Sequence, residues 1–231
     1  MVRWVVLVVV VALVAAGCGD DDADDTTTTT LPSADEVLAE AALTMEGVDS
    51  LRFEMELSGT PITLLGVELR SARGQYAAPE SSRAILEAAI GGLTIELGTI
   101  AIGGTSWVTN PLTGDWEEYT GSRAFNPAIM FDPELGWRPL LTTDIRDTRL
   151  IEPAAEGVYT VAGTAAASRV EVLTAGLVEG QPVDVEIDVD RESGVVTRMD
   201  FVTSDEAGLT TWMLRLSEFG SDVTIEPPEV D

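Results

Sequence analysis

The sequence has 231 residues, 45% of them apolar, and its 40 acidic residues outweigh 13 basic ones for a formal net charge of −27. It contains neither lysine nor histidine, and Cys18 is its single cysteine. These omissions exclude Ser-His-Asp catalysis, the usual zinc sites, Schiff-base chemistry and lysine-dependent phosphate loops. Because so acidic a surface repels polyanions, we exclude nucleic acid as a partner. Carboxylate-based catalysis and oxygen-ligand metals are the only site chemistries left open.

Residues 1–17 have the order of a secretory signal peptide. Arg3 precedes an apolar run over residues 4–16, and small residues follow. This run is shorter than the ~20 residues of a membrane-spanning helix, so an uncleaved anchor is only the alternative. The ending Ala15-Ala16-Gly17-Cys18 resembles a bacterial lipobox, in which the cysteine is diacylated, although Ala15 stands where leucine is commonest. We predict a lipid on Cys18 that anchors the chain to the outer face of the cell membrane; an ordinary thiol is the alternative.

Residues 18–33 are predicted to be a tether. Five aspartates and five threonines make it too polar to pack, and the 15 residues from Gly19 to Ser33 would reach about 50 Å at full stretch. A calcium-binding stretch is the alternative, but nothing in it fixes a turn between the aspartates.

Residues 34–231 are predicted to form one globular domain of the α+β class. Ser33 and Glu36 match a capping box, and apolar residues at helical spacing predict a helix that ends at Gly47. From Leu51 the period changes to two and recurs to the end of the chain, which predicts about ten strands of an antiparallel meander. The proline-punctuated segment 125–141 indicates two short helices, and Val170 and Val172 are assigned to a strand.

The sheet has one apolar face and few helices to cover it, so it must close, pack on a second sheet or curl around its helices. If it curls and the helices do not fill it, an apolar cavity results; a filled core is the alternative. Small inward residues are compatible with empty space, and Ala88→Trp is expected to reduce lipid loading with stability largely kept. The candidate cavity residues on the inward faces are Phe53, Met55, Leu57, Val67, Leu69, Ala84, Leu86, Ala88, Ile90, Leu93, Ile95, Leu97, Ile187, Met199, Phe201, Trp212 and Leu214.

The order of these elements resembles the LppX/LprAFG-type lipoproteins, described mainly from mycobacteria. The resemblance covers roughly residues 34–228 and rests on the lipobox and tether, the segments GGTSWVTNPLTGDWEEY and FDPELGWRPLL, the hairpin PVDVEIDVDRESGVVTRMDF and the closing FGSDVTIEPP. It implies a curved antiparallel half-barrel wrapped on a few short helices, similar to the LolA/LolB carriers. It also implies a hydrophobic cavity for acylated lipids or glycolipids in transit, with no catalytic residue and no cofactor, and a lipid exporter in the membrane as a candidate partner.

A hydrolase and a calcium-binding site are alternatives to a lipid carrier. Paired carboxylates at Glu117-Glu118 or along residues 184–190 could serve a hydrolase, but strand neighbours point to opposite faces. Residues 188–194 could form a calcium loop, but the ligand pattern is incomplete and a hairpin turn explains it better. A protein-binding or sensing module with a filled core remains as the alternative function.

Overall fold

A single antiparallel sheet dominates the part of the chain that the structure describes. The computed structural model describes residues 31–64, 66–120, 125–153, 155–174 and 176–230. The signal segment, Cys18 and the aspartate run lie outside these residues, so the predictions made for them stay predictions. The strands are β1 (Ser50–Gly59), β2 (Ile62–Leu64), β3 (Val67–Ala77), β4 (Ser81–Ile90), β5 (Leu93–Ile102), β6 (Thr105–Thr109), β7 (Trp116–Glu118), β8 (Ile145–Leu150), β9 (Val158–Ala165), β10 (Val183–Asp190), β11 (Val196–Ser204) and β12 (Leu209–Ser217).

The sheet consists of two meanders that meet at β1 and β12. One has the order β7-β6-β5-β4-β3-β1, the other has the order β12-β11-β10-β9-β8, and the short β2 pairs with β3 outside this path. Phe53 lies opposite Leu216, and Met55 lies opposite Leu214. The predicted meander is therefore confirmed within each half. The pairing of the first long strand with the last joins the two halves into one curved sheet.

Alternation along each strand separates a buried inner face from a polar outer face. In β10, for example, Val185 and Ile187 are buried while Asp184 and Glu186 are exposed. Helix α1 (Ala34–Glu46) adds its own apolar side to the same core, including Leu38 and Met45. Its predicted start is confirmed, since the Ser33 side chain accepts from Glu36 N and the Glu36 carboxylate accepts from Ser33 N.

Three short helical segments lie against the inner face together with α1. They are a 3₁₀ helix (Pro127–Phe131), α2 (Trp137–Thr142) and α3 (Ala167–Leu173). Two helical segments within 125–141 were predicted and are confirmed, although the first is 3₁₀ and the second begins after Gly136. We refer to residues 125–142 and 167–173 as the cover.

The prediction of a strand at Val170 and Val172 is wrong, because these residues belong to α3. Valines two apart fit the period of a strand, but tertiary contacts decide here. Val170 is fully buried, and the neighbouring Arg169 is only 7% exposed because its guanidinium pairs with Asp144. A strand would put Val170 and Arg169 on opposite faces, whereas the helix buries both.

Residues 188–194 comprise the end of β10 and the hairpin turn that leads to β11. The Asp190 carboxylate accepts from the backbone N and the hydroxyl of Ser193, at 2.8 and 2.6 Å. These bonds hold the pKa of Asp190 below its ordinary value. Asp190, the third position of the calcium loop considered above, therefore stabilises the turn instead.

Candidate functional site

An apolar cavity lies between the inner face of the sheet and the cover. Its volume is about 70 Å³. The sheet contributes Leu51, Phe53, Met55, Tyr76, Met199, Phe201, Trp212, Leu214 and Leu216. The cover contributes Phe125, Asn126, Pro127, Ile129, Met130, Phe131, Trp137, Val172 and Leu173. Since β1, β11 and β12 supply most of the sheet residues, the cavity lies where the two meanders meet.

The structure brings six of the candidate residues together at this cavity. They are Phe53, Met55, Met199, Phe201, Trp212 and Leu214. Seven others are buried in the core away from it: Val67, Leu69, Ala84, Leu86, Ala88, Leu97 and Ile187. Leu57 and Ile95 are half-buried, and Ile90 and Leu93 are exposed. The inward face was thus assigned correctly over most of its length, but only its central part lines the cavity.

Ile90 and Leu93 do not line the cavity because they flank the turn between β4 and β5. Strand alternation directs Ile90 to the same face as the fully buried Ala88, yet Ile90 is 51% exposed. Its opposite partner Leu93 is 71% exposed. The side chains that bury Ala88 therefore do not extend as far as the end of this hairpin.

Small residues on the inner face make room for neighbours rather than for a void. A Cβ atom at Gly74 would lie 2.5 Å from Phe53 Cζ and 2.9 Å from Ala84 Cα. The Phe53 ring thus fills the space that the missing side chain leaves. Ala88 is fully buried, so the expectation that Ala88→Trp keeps stability is revised to a loss of stability by overpacking.

Sequence reasoning missed the cover side of the cavity. The aliphatic and aromatic clusters of 125–137 were noted as helical, but no pattern indicated that Phe131 and Met130 would face the sheet. Val172 and Leu173 were missed because α3 was assigned to a strand. For the 3₁₀ helix, the available signal is the apolar run of residues 128–131 between Pro127 and Pro133.

Aromatic contacts connect the 3₁₀ helix to β3. The rings of Tyr76 and Phe131 are stacked, with centroids 3.7 Å apart. The Tyr76 hydroxyl donates to Pro79 O at 3.2 Å, and burial, followed by the charges of Asp49 and Glu80, raises the pKa of this phenol. Tyr76 therefore presents its apolar ring, not its hydroxyl, to the cavity.

One polar side chain links the start of the 3₁₀ helix to the sheet. The Asn126 Oδ1 atom accepts from Ala128 N and from the Ser82 hydroxyl, both at 3.1 Å. This amide caps the helix and contacts β4 at the same time. Asn126 is also a cavity residue, so the site has one amide at its margin.

Trp137 brings a hydrogen-bond donor to an otherwise apolar site. The residue is 2% exposed and lines the cavity. Its Nε1 atom is buried and has no acceptor among the described residues. An unpaired buried N–H costs about 1–3 kcal/mol, which an acceptor on a ligand would recover.

The charges that hold the cover are kept away from the cavity. Arg169 Nε donates to Asp144 Oδ2 at 2.9 Å, and Nη1 donates to Leu135 O. The Arg169 guanidinium thus connects α3 to the segment before α2 and to the start of β8. The cover is therefore held at its edge by a buried ion pair and over the cavity by apolar contacts.

Two larger depressions lie on the outer face of the sheet and are lined by charged residues. One, of about 470 Å³, contains Arg52, Arg73 and Arg83, and the other, of about 420 Å³, contains Asp184 and Asp200. An acyl chain would not shed water on such surfaces. The inner cavity is the apolar candidate.

The carboxylates considered for catalysis lie outside the cavity. Glu117 and Glu118 are exposed neighbours on β7, opposite Val108 and Trp107. Asp184 accepts from the Thr164 hydroxyl at 2.9 Å. Within the described ranges, no group of three or more acidic or thiol side chains is placed to hold a metal ion. The described helices also include none with the length and hydropathy needed to cross a membrane.

Comparison with known proteins identifies similar folds. Residues 33–225 match the family model for the LppX_LprAFG lipoprotein. LprF from Mycobacterium bovis is 15% identical, with 84% of this chain and 96% of that chain covered and a TM-score of 0.64. Lipoprotein LppX from Mycobacterium tuberculosis is 17% identical over 84% and 98%, with a TM-score of 0.59. A LolA superfamily protein from Nitrosomonas europaea is 13% identical over 84% and 96%, with a TM-score of 0.32, which is too low to support an argument. A search of curated protein sequences gives no significant match.

Proposed function

Since the chain belongs to the LppX_LprAFG lipoprotein family, we propose that it binds the acyl part of a lipid or glycolipid between the sheet and the cover, and carries it through the cell envelope. The observation that carries this proposal is the lining of the cavity. Sixteen of its residues have apolar or aromatic side chains without a free polar group in the cavity, while Asn126 and Trp137 add an amide and an N–H. An acyl chain with one polar linkage matches that composition.

Burial of the lipid's acyl chain is the driving force of the proposed binding. Each methylene exposed to water costs about 0.8 kcal/mol, so a sixteen-carbon chain has a penalty on the order of 10 kcal/mol. A carrier must therefore offer an apolar surface whose area is comparable to that of the acyl chain. The inner face around Phe201, Trp212 and Leu214 provides such a surface at the junction of the two meanders.

The small volume of the cavity supports a closed state of the proposed site. Ligand sites usually measure about 300–1,000 Å³, whereas this cavity holds about 70 Å³. Binding of an acyl chain therefore requires the cover to move outward. The 3₁₀ helix is the element best suited to move, because it is only five residues long. Its contacts with the sheet include the stack of Phe131 on Tyr76 and the hydrogen bond between its cap, Asn126, and Ser82.

The proposal includes the predicted anchor. A diacylated Cys18 would keep the domain beside the membrane, and the tether of residues 18–33 would let it move tens of ångströms away. A lipid exporter in that membrane would supply the cargo. In this proposal the chain has no catalytic role.

A protein-binding or sensing module is the second candidate function. The small cavity volume favours it, since a nearly filled core needs no ligand. The two candidates differ in whether the cover opens.

Lipid extraction and binding of a hydrophobic dye test the proposal. The chain is purified from an envelope-containing host, and its organic extract is analysed by mass spectrometry. A carrier yields a stoichiometric acylated lipid and, after delipidation, binds the dye. A protein with neither lipid nor dye binding would be a filled module instead.

A further inference from the structure

Large aliphatic side chains are exposed at the turns of one end of the sheet. In an antiparallel sheet alternate turns lie at the same end, so the β2–β3, β4–β5 and β6–β7 turns point the same way. Ile90 and Leu93 are 51% and 71% exposed there, and Leu112 is 92% exposed. Leu209 is 63% exposed, and its carbonyl accepts from Thr60 N in the connection to β2. We call Ile90, Leu93, Leu112 and Leu209 the apolar tip.

The two ends of the sheet differ in charge. Residues 57–67 and 88–95, which include the β2–β3 and β4–β5 turns, contain no charged residue, although 23% of the chain is charged. Residues 97–114, which include the β6–β7 turn up to Gly114, contain none either. At the opposite end, the connections to β1, β4 and β11 carry Asp49, Glu80 and Glu192. At the same end as the tip, acidic residues stand beside its margins, at Asp115 in the turn of Leu112 and at residues 205 and 206 before Leu209.

An apolar path joins the cavity to the tip along the inner face. Met55 lines the cavity, and Leu57, two residues further along the same face, is half-buried. Beside it, Ile62, Leu69, Ala88 and Ile95 form one cross-strand row over β2 to β5. Ile90 and Leu93 form the next pair outward. Leu69 and Ala88 are buried in this row, Leu57, Ile62 and Ile95 are half-buried, and Ile90 and Leu93 are exposed at its end. The apolar inner face thus continues from the cavity to the tip without a charged residue.

We propose that the apolar tip docks on a lipid bilayer by inserting its aliphatic side chains at the interface. Charge favours a bilayer as the occupant, because residues 57–67 and 88–95 around Ile90 and Leu93 present no acidic side chain to the headgroups, whereas the chain as a whole has a net charge of −27. The docking goes beyond lipid carriage and does not require it, since these side chains are exposed whether the cavity is filled or not. It would place the outer end of the apolar path against the membrane.

Vesicle co-sedimentation of the chain that begins at Gly19 tests the docking, because this chain lacks Cys18 and contains the whole compact unit Pro32–Asp231. The probe is a phosphatidylcholine vesicle, with and without phosphatidylglycerol. Leu93→Glu is expected to weaken partition about tenfold. Leu43→Glu is the matched control, because Leu43 on α1 is 69% exposed, close to the 71% of Leu93. The control should bind like the wild type.

The salt dependence and a site-specific label complete the test. Added salt should strengthen binding to the anionic vesicles, because it screens repulsion, and leave binding to the neutral ones unchanged. Since the chain from Gly19 has no cysteine, Leu93→Cys and Leu43→Cys each give one attachment point for a polarity-sensitive dye, and only the first should report an apolar environment. Equal partition of the two glutamate variants, or binding that weakens with salt, would overturn the proposal. The proposal would also be overturned if the protein did not bind vesicles but captured a detergent-solubilised envelope protein in a Leu93-dependent way. That result would assign the tip to a protein partner.

Discussion

Tyr76 and Phe131 lie with their ring planes 10° apart and their centroids separated by 3.7 Å, and this stack closes the cavity between β3 and the 3₁₀ helix. Both rings line the cavity that they close. A ligand that enters between sheet and cover must separate them or pass beside them. The stack therefore couples access to the cavity with the stability of the cover.

Phe131→Ala should loosen the cover. Loss of the stacked pair removes about 0.5–1.5 kcal/mol beyond the area that the ring buries, so uptake of a hydrophobic dye should become several-fold faster. Stopped-flow fluorescence measures this rate. Tyr159→Ala is the control, because Tyr159 packs under Arg191 away from the cover. Equal acceleration by both variants would show general loosening rather than opening at the stack.

Trp137→Phe separates the apolar and polar contributions of the site. An aromatic ring is kept, while the buried, unpaired Nε1 is removed together with part of the indole. The free energy of unfolding should therefore fall moderately, because the lost packing outweighs relief of the unpaired donor. Affinity for a methyl ester of a sixteen-carbon acid should fall about fivefold, the equivalent of one hydrogen bond of about 1 kcal/mol. Affinity for the hydrocarbon of the same length should not change. Dye displacement gives both constants, and an equal loss for the two ligands would contradict a role for the N–H.

The Arg169–Asp144 pair should stabilise the cover. Arg169→Met leaves the Asp144 carboxylate without its buried partner and should lower the free energy of unfolding by about 3 kcal/mol. Adding Asp144→Leu should recover part of that loss, because the uncompensated charge disappears. Urea unfolding measures both variants. A loss below about 1 kcal/mol in the single variant would place the pair among weak surface ion pairs.

Two hydroxyl–carboxylate pairs should respond to acid. Hydrogen bonds from Ser33 lower the pKa of Glu36, and those from Ser193 lower the pKa of Asp190. Each pair therefore contributes its stability fully above the ordinary carboxyl pKa and loses it as the pH falls through the lowered value. Ser33→Ala should raise the pKa of Glu36 alone, and Ser193→Ala that of Asp190 alone, as NMR titration would show. A change at both carboxylates in either variant would contradict this local origin.

Patterns among neighbouring residues were sufficient to predict most strands of the sheet. Ser33 and Glu36 predicted the start of α1, and the alternation Val183, Val185, Ile187 placed β10 and its buried face, because both patterns depend on neighbours in the chain. The α3 helix was missed because its decisive contact, Arg169 with Asp144, joins residues 25 positions apart. Strand alternation also could not show where burial of the inner face ends, and Ile90 and Ala88 share a face although only Ala88 is buried.

The position of the cavity depends on similar long-range contacts. Phe53 and Leu216 meet only because β1 pairs with β12, and no local pattern indicates that pairing. The cover residues are apolar clusters in the sequence, but their orientation toward β3 and β4 depends on long-range contacts such as that of Asn126 with Ser82. Local patterns thus predicted the apolar surface, whereas the position of the cavity on that surface depends on contacts between residues far apart in the sequence.

Native mass spectrometry of three proteins from an envelope-containing host tests lipid carriage most directly. Leu214 lines the cavity on β12, and Met213 beside it belongs to the opposite face of the strand. The wild type and Met213→Trp should carry a bound acylated lipid, and Leu214→Trp should not, because the larger side chain occupies the cavity. Equal lipid loading of both tryptophan variants, or a wild type without lipid, would contradict binding between the sheet and the cover.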